Sequence, residues 1–325
     1  MAGNKDIWFV VVNPHAGSGK TMPEWQKAEK KLRSRGLRYR PVMTTRQGHA
    51  VELVKNAAAK GYRRFIAVGG DGTAHEVLNG IMLFNSANPE IPLEAFTLAV
   101  IPIGSGNDWI KAHDVPHDTE DVVELLAAGR VARQDVVKVS LCAQDDPDQS
   151  LRTVYMLNVG GIGFDARVCE IVNAQKAAGK TGKLLYIKAL MRVLSNFYSF
   201  PAMVVADGEK IFEGDCYSIA FGIGQYSGGG LRQVPSACTD DGLLDLLVIP
   251  KVKMGYLATQ IPKLFNGRLE DVPELIFRKV KRVEVAPLSD MFEPMEVDGE
   301  VIGRFPVSLE VVDGMINVLD GTAEA

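Results

Sequence analysis

Long apolar runs are missing from this 325-residue chain, and no stretch approaches the roughly 20 consecutive apolar residues that span a bilayer. A helical membrane protein is therefore excluded. Cysteine is scarce too: Cys142, Cys169, Cys216 and Cys238 stand far apart, at spacings that suit neither a metal knuckle nor a redox pair. That excludes a disulfide scaffold and leaves reduced thiols of a cytoplasmic chain as the expectation. No charged leader with an apolar core precedes the first strand pattern, which points the same way. Internal repeats and low-complexity segments are absent, so no solenoid or tail-like binder is indicated. With a net charge of −4 there is no overall basic excess, and no nucleic-acid partner is expected.

What charge there is lies unevenly. Residues 1–64 hold fourteen Lys and Arg against Asp6, Glu24, Glu29 and Glu52, so the remainder is acid-rich. A basic N-terminal region suits phosphates or an anionic membrane surface, and solvated helix faces account for it equally well. The length exceeds the roughly 250–300 residues at which single cores stop growing, so two domains are expected.

The most informative stretch is Phe65-Ile66-Ala67-Val68-Gly69-Gly70-Asp71-Gly72-Thr73 with the helical pattern that follows. Its apolar run is short and β-favouring, as a buried parallel strand should be. The glycines let a ligand approach the backbone closely. Thr73 is placed to cap the next helix, with Glu76 completing a capping-box spacing. The free amides of that helix end would receive an anion, which reads as a phosphate site. His75, one turn into the helix, reads as a surface histidine without a partner in preference to a contact for phosphate or substrate.

Three further loops follow strand patterns in the same way. Residues 7–12 run into Asn13-Pro14-His15-Ala16-Gly17-Ser18-Gly19-Lys20-Thr21, which mimics a P-loop but has Pro14 where its first glycine belongs. A loop of different geometry, offering amides and Lys20 to phosphates, remains. Residues 39–43 lead to a loop at Thr44, and 97–101 lead to Gly104-Ser105-Gly106-Asn107-Asp108. Strands alternating with helices imply a mostly parallel sheet covered on both faces, and such sheets bind ligands at the carboxyl ends of their strands.

Past residue 133 short β-like runs dominate, at 136–141, 153–158, 203–206, 217–222, 243–249, 282–286 and 307–312. Turn signals such as Asp145-Asp146-Pro147-Asp148 and Asp240-Asp241-Gly242 separate them. The pattern predicts a β-rich antiparallel domain, sandwich-like or barrel-like, interrupted by one helical stretch at 181–198. The expected division is 1–135 and 136–312, with residues 313–325 packing back on the first domain. Edge strands of the second leave pairing into a homodimer open.

Taken together, Asn13-Pro14-x-x-Gly17-x-Gly19-Lys20, the Gly-Gly-Asp-Gly-Thr loop with Glu76 and Asn79-Gly80, and Gly104-Ser105-Gly106-Asn107-Asp108 resemble the diacylglycerol kinase and sphingosine kinase superfamily. Tyr226-x-Gly228-Gly229-Gly230, Asp240-Asp241-Gly242-x-Leu244-Asp245 and Asp298-Gly299-Glu300 resemble its later motifs, in order. The first domain would then have the fold of NAD kinase and phosphofructokinase, and the length suits the soluble bacterial lipid kinases of the group. The resemblance implies an ATP-dependent lipid kinase using Mg²⁺, peripherally attached to the membrane surface that presents its substrate. Diacylglycerol, or a related lipid, is the first choice of acceptor and a sphingoid base the alternative.

By the same resemblance, Asn13, Pro14 and Gly17 border the nucleotide and Thr44 lies near its phosphates or base. Lys20, Gly69, Gly70, Asp71, Gly72, Thr73 and Glu76 serve the phosphates, and Gly104, Ser105 and Asn107 the nucleotide. Glu300 matches the proton acceptor from the lipid hydroxyl, with Asp71 competing for that role. Asp241 with the carbonyls of Cys238 and Leu243 matches a structural Mg²⁺ site, chemically reasonable for a hard cation. Ile223-Gly224 departs from the Asn-Gly of other members and puts a polar role at 223 in doubt. Among rivals, NAD kinase would need a Thr/Ser-rich substrate loop that is not found. Gly161-Ile162-Gly163-Phe164-Asp165-Ala166 is a lone dinucleotide-type match. A catalytically silent binder of lipid or nucleotide would not need both Asp71 and Glu300.

Overall fold

The computed structural model describes residues 4–104, 106–142, 151–178, 180, 184–195 and 198–322. The chain divides into two compact units, one of residues 1–134 and 313–325, the other of residues 135–312.

The first unit is built from β1 (Trp8–Val12), α1 (Thr21–Ser34), β2 (Tyr39–Met43), α2 (His49–Ala59), β3 (Arg64–Gly69), α3 (Asp71–Asn85), β4 (Thr97–Pro102), α4 (Thr119–Ala128) and β5 (Val131–Gln134). Strand β1 and the last five residues of β3 and of β4 are buried, which is why they read as unbroken apolar runs. Edge strand β2, with Arg40 and Pro41, is half exposed. β1 pairs in parallel with β2 and β3, and β3 with β4. A strand from the end of the chain, Ile316–Leu319, lies parallel to β4 and antiparallel to β5, completing the order.

The second unit holds β6 (Val137–Cys142), β7 (Leu151–Met156), β8 (Val159–Gly163), α5 (Phe164–Ala177), α6 (Leu184–Ser195), β9 (Phe200–Ala206), β10 (Glu209–Gly222), β11 (Leu244–Pro250), α7 (Met254–Asn266), β12 (Ile276–Val280), β13 (Arg282–Pro287), β14 (Pro294–Val297), β15 (Glu300–Arg304) and β16 (Val307–Val311). The last strand of the chain is β17 (Ile316–Leu319). Every paired strand of the second unit runs antiparallel to its neighbours. β10 is long enough to serve two partners in turn. Its first half pairs with β9, and its second half pairs with both β8 and β11. Phe200, Phe221, Phe305 and Leu309 are buried in the core this creates.

The helical stretch at 181–198 is α6, Leu184–Ser195, and residues 181–183 and 196–197 lie outside those described, as does the turn at 145–148. It is not the only helix of that half. α5 and α7 also form, the first because Phe164, Val168, Ile171 and Val172 recur at helical spacing and pack against α6. Consequently Gly161-Ile162-Gly163-Phe164-Asp165-Ala166 is indeed a strand passing into a helix. Both neighbours of β8 are antiparallel to it, however, so the parallel crossover that a dinucleotide site requires is not formed there.

Candidate active site

Four loops of the first unit leave the carboxyl ends of adjacent parallel strands and reach one another. Asn13 follows β1; its backbone amide donates to the Val68 carbonyl (3.0 Å), and its side-chain Nδ2 donates to Thr73 Oγ1 (3.2 Å). Asn13 Oδ1 accepts the His15 amide (3.0 Å), which shapes the turn through Pro14. Gly17, at φ +56°, brings this loop against the one after β4, and a Cβ there would fall 2.7 Å from Ile103 Cγ2. Lys20 is exposed at the start of α1, and Thr44 is buried with its amide on the Val12 carbonyl (2.9 Å). Ile103 donates to the Gly69 carbonyl (2.7 Å), so the β3 and β4 loops are joined at their roots.

The start of α3 differs from a capping box. The N-cap is Gly70, in an extended conformation and without a side-chain bond, and the helix begins at Asp71. Thr73 thus lies inside the first turn and its hydroxyl serves Asn13. Glu76 does not reach back to its own helix: Oε1 accepts the Gly48 amide (2.8 Å) and Oε2 the Ala50 amide (3.1 Å). Its carboxylate therefore ties α3 to the neighbouring loop. Asp71 is also a link. Its Oδ2 accepts the Asp108 amide (3.2 Å) and its Oδ1 the Trp109 amide (3.3 Å), which holds the loop after β4. In that loop Asn107 sits at φ +51° and donates to the Gly104 carbonyl (3.3 Å), while Ser105 lies outside the described residues. His75 is buried rather than on the surface, with Asn79 Nδ2 3.3 Å from its Nε2, because α3 is covered on more than one side.

In the second unit Glu300 opens β15 beside a tight turn. Asp298 (φ +52°) and Gly299 (φ +85°) give the left-handed pair that joins β14 to β15. The Asp298 carboxylate accepts the amides of Leu157 (2.9 Å) and Asn158 (2.8 Å), fixing the turn to the chain before β8. From α5, the Cys169 thiol (2.8 Å) and Asn173 Nδ2 (3.0 Å) donate to the Gly299 carbonyl. Glu296 accepts the Gly299 amide (2.9 Å), and burial pushes its carboxyl well above the usual carboxylate range. Glu300 thus opens the second strand of a hairpin in which Asp298 and Glu296 bind backbone amides.

The matching family models now have a structure to sit on. One described as the diacylglycerol kinase catalytic domain matches residues 7–139. Another, the YegS C-terminal NAD kinase beta sandwich-like domain, matches residues 158–320. The chain belongs to the diacylglycerol kinase family. It is a kinase. Among similar family proteins, a Staphylococcus carnosus diacylglycerol kinase is 26% identical over 92% of this chain and 90% of its own length. A Staphylococcus aureus diacylglycerol kinase is 25% identical over 95% and 90%. A Bacillus anthracis crystal structure ascribed to a diacylglycerol kinase shares 26% identity, covers 99% of this chain and 97% of that one, and superposes with a TM-score of 0.77.

Of the groups expected to hold a structural Mg²⁺, the Asp241 carboxylate is already engaged. Asp241 Oδ1 accepts the Leu243 amide (3.1 Å), and Oδ2 pairs with Lys279 Nζ (2.7 Å), which also reaches Asp245 (3.1 Å). Cys238 Sγ donates to Asp240 (3.0 Å). An ammonium stands at the one carboxylate a divalent cation would need there, so the Asp241 side chain as arranged does not fit the ion. Among the described residues no three His, Cys, Asp or Glu side chains converge as a metal site. Ile223 is fully buried, which removes any polar role there. The basic face of α1 is largely matched by acids: Lys31 meets Glu120 and Glu124, Arg35 meets Glu124, and Arg33 meets Glu29.

A group that motif reading passed over is Asp165, on the first turn of α5. Its Oδ2 accepts from Ser218 Oγ (2.7 Å) and its Oδ1 from Gln233 Nε2 (2.7 Å), and burial pushes its carboxyl up to about 6. Folded, it keeps its proton to about pH 6, whereas the unfolded chain loses it near 3.8. A raised carboxyl stabilises the fold fully below the lower value, and that contribution is lost as pH rises through the upper one. Asp165→Asn preserves both hydrogen bonds, since the Ser218 hydroxyl can turn to accept. The variant should exceed the parent in stability by about 2–3 kcal/mol at pH 8 and equal it near pH 3.5. Urea unfolding at the two pH values tests this, and a gap that is the same at both would refute it.

Proposed function

We propose that this kinase transfers the γ-phosphate of ATP to a hydroxyl of a lipid, diacylglycerol or a close relative, presented at a membrane surface. The observation that carries the nucleotide half is the start of α3, whose N-cap has no side chain to spend on the leading amides. Those amides and the helix dipole suit an anion, and glycine loops after β1 and β4 pack directly beside them. Asn13, Gly17, Lys20, Thr44, Gly69 to Thr73, Gly104, Ser105 and Asn107 would hold the nucleotide. ATP, travelling with Mg²⁺, would supply the phosphoryl group. Asp71 keeps the two phosphate-side loops in register, and Glu300 takes the proton from the lipid hydroxyl. Phosphoryl transfer depends chiefly on positioning and charge neutralisation, so carboxylates in these two roles suffice. The lipid half rests on the relatives that carry the name diacylglycerol kinase.

Purified protein incubated with labelled ATP, Mg²⁺ and mixed vesicles of extracted lipids should yield a labelled phospholipid, identified by mass spectrometry. The identity of the product separates diacylglycerol from a sphingoid base. Absence of labelled lipid with every extract, or label on NAD instead, would overturn the reading.

A further inference from the structure

Glu76, within the expected phosphate cradle, turns its side chain toward a different helix. Its two carboxylate oxygens take two backbone amides of a different loop, Gly48 at 2.8 Å and Ala50 at 3.1 Å. Those amides open α2, whose N-cap Gly48 has φ +76° and no side-chain bond of its own. Glu76 therefore caps a helix other than its own, from one turn inside α3. The supporting frame is rigid. α2 and α3 lie so close that a Cβ on Gly80 would fall 2.6 Å from Val54 Cβ. Within the capped loop, His49 Nδ1 accepts the Thr45 amide (3.1 Å), and Arg46 is held to Glu52 (2.5 Å). The loop starts at Thr44, which hangs from the Val12 carbonyl beside Asn13.

We infer that Glu76 is a positioning residue for the nucleotide: by clamping the amides of Gly48 and Ala50 it locks the 44–50 loop to the helix that carries the glycine loop, without itself touching phosphate. The inference rests on the proposed reading of the first unit as a nucleotide site. A carboxylate spent on two amides is a poor neighbour for phosphate, and the bonds remove that conflict by facing it away into the loop. Two nucleotide-bearing loops then move as one piece, and the site is formed before ligand arrives.

The test compares the parent protein with Glu76→Ala and Glu76→Gln in two measurements. Amide hydrogen exchange of the 44–50 segment reports the clamp, and calorimetric titration with MgADP beside steady-state kinetics reports the site. In Glu76→Ala, exchange at Gly48 and Ala50 should accelerate at least tenfold. If the competent loop conformation falls to about one-tenth of the population, Kd for MgADP and KM for ATP should each rise about tenfold, with kcat within about twofold. Glu76→Gln keeps a single acceptor oxygen and should fall between the two. A merely structural role would lower thermal stability without this KM-against-kcat split. Unchanged exchange in Glu76→Ala overturns the clamp, and faster exchange with unchanged Kd overturns its link to nucleotide. A parent protein that binds no MgADP overturns the nucleotide reading itself and this inference with it.

Discussion

Glu300→Gln is expected to lower the maximal rate of lipid phosphorylation by about 10²–10⁴-fold, the range that follows loss of a general base. The substitution is nearly isosteric, and other groups hold the backbone around it. Asp298 holds Leu157 and Asn158, while Cys169 and Asn173 hold the Gly299 carbonyl, so the hairpin keeps its shape. KM values for ATP and lipid should therefore change little, and the loss should fall on kcat. Stopped assays over a range of both substrates measure this. A near-normal rate would remove Glu300 from proton transfer and return the role to Asp71.

Asp71→Ala should abolish measurable turnover, and it should do more than remove a charge. The carboxylate is the acceptor for the amides of Asp108 and Trp109. Losing it leaves two part-buried donors without that partner, at a cost of about 1–3 kcal/mol each. The short helical turn Trp109–His113 and the loop before it should loosen, while Trp109 keeps its bond to Gln134 (2.8 Å) and anchors the far side. Hydrogen exchange should quicken at 104–110 and remain as in the parent through β3 and β4, whose amides are held by neighbouring strands. Full activity, or exchange unchanged in that loop, would remove Asp71 from its place between the two loops.

The buried parallel strands of the first unit were legible because nothing charged interrupts them, and the glycine loops because each follows a strand end. Two features of the same unit were not. Thr73 and Glu76 have the spacing of a capping box, but Gly70 starts the helix three residues earlier than Thr73 would, and spacing alone carries no record of where a helix begins. Glu76 answers to Gly48, 28 residues away, which no local pattern encodes. In the second unit the β runs of β9, β13 and β16 were readable, since one face of each strand is buried. α5 was obscured by the glycine-rich β8 before it, and α7 by Pro262 inside it. The acids Asp165 and Glu296 gave no signal, because their character comes from burial against elements distant in sequence.

β17 has a consequence for how the protein is made. The sheet of the first unit places residues 316–319 between β4 and β5, so those two strands have no direct partner in each other. Residues 135–312 form one continuous stretch that is synthesised before β17, the strand that completes the first unit's sheet. The α/β unit, begun first, is completed last, against the usual order in which the earlier domain folds first. Until then two strand edges stand open in the nascent chain, a surface for chaperones or for misplaced pairing.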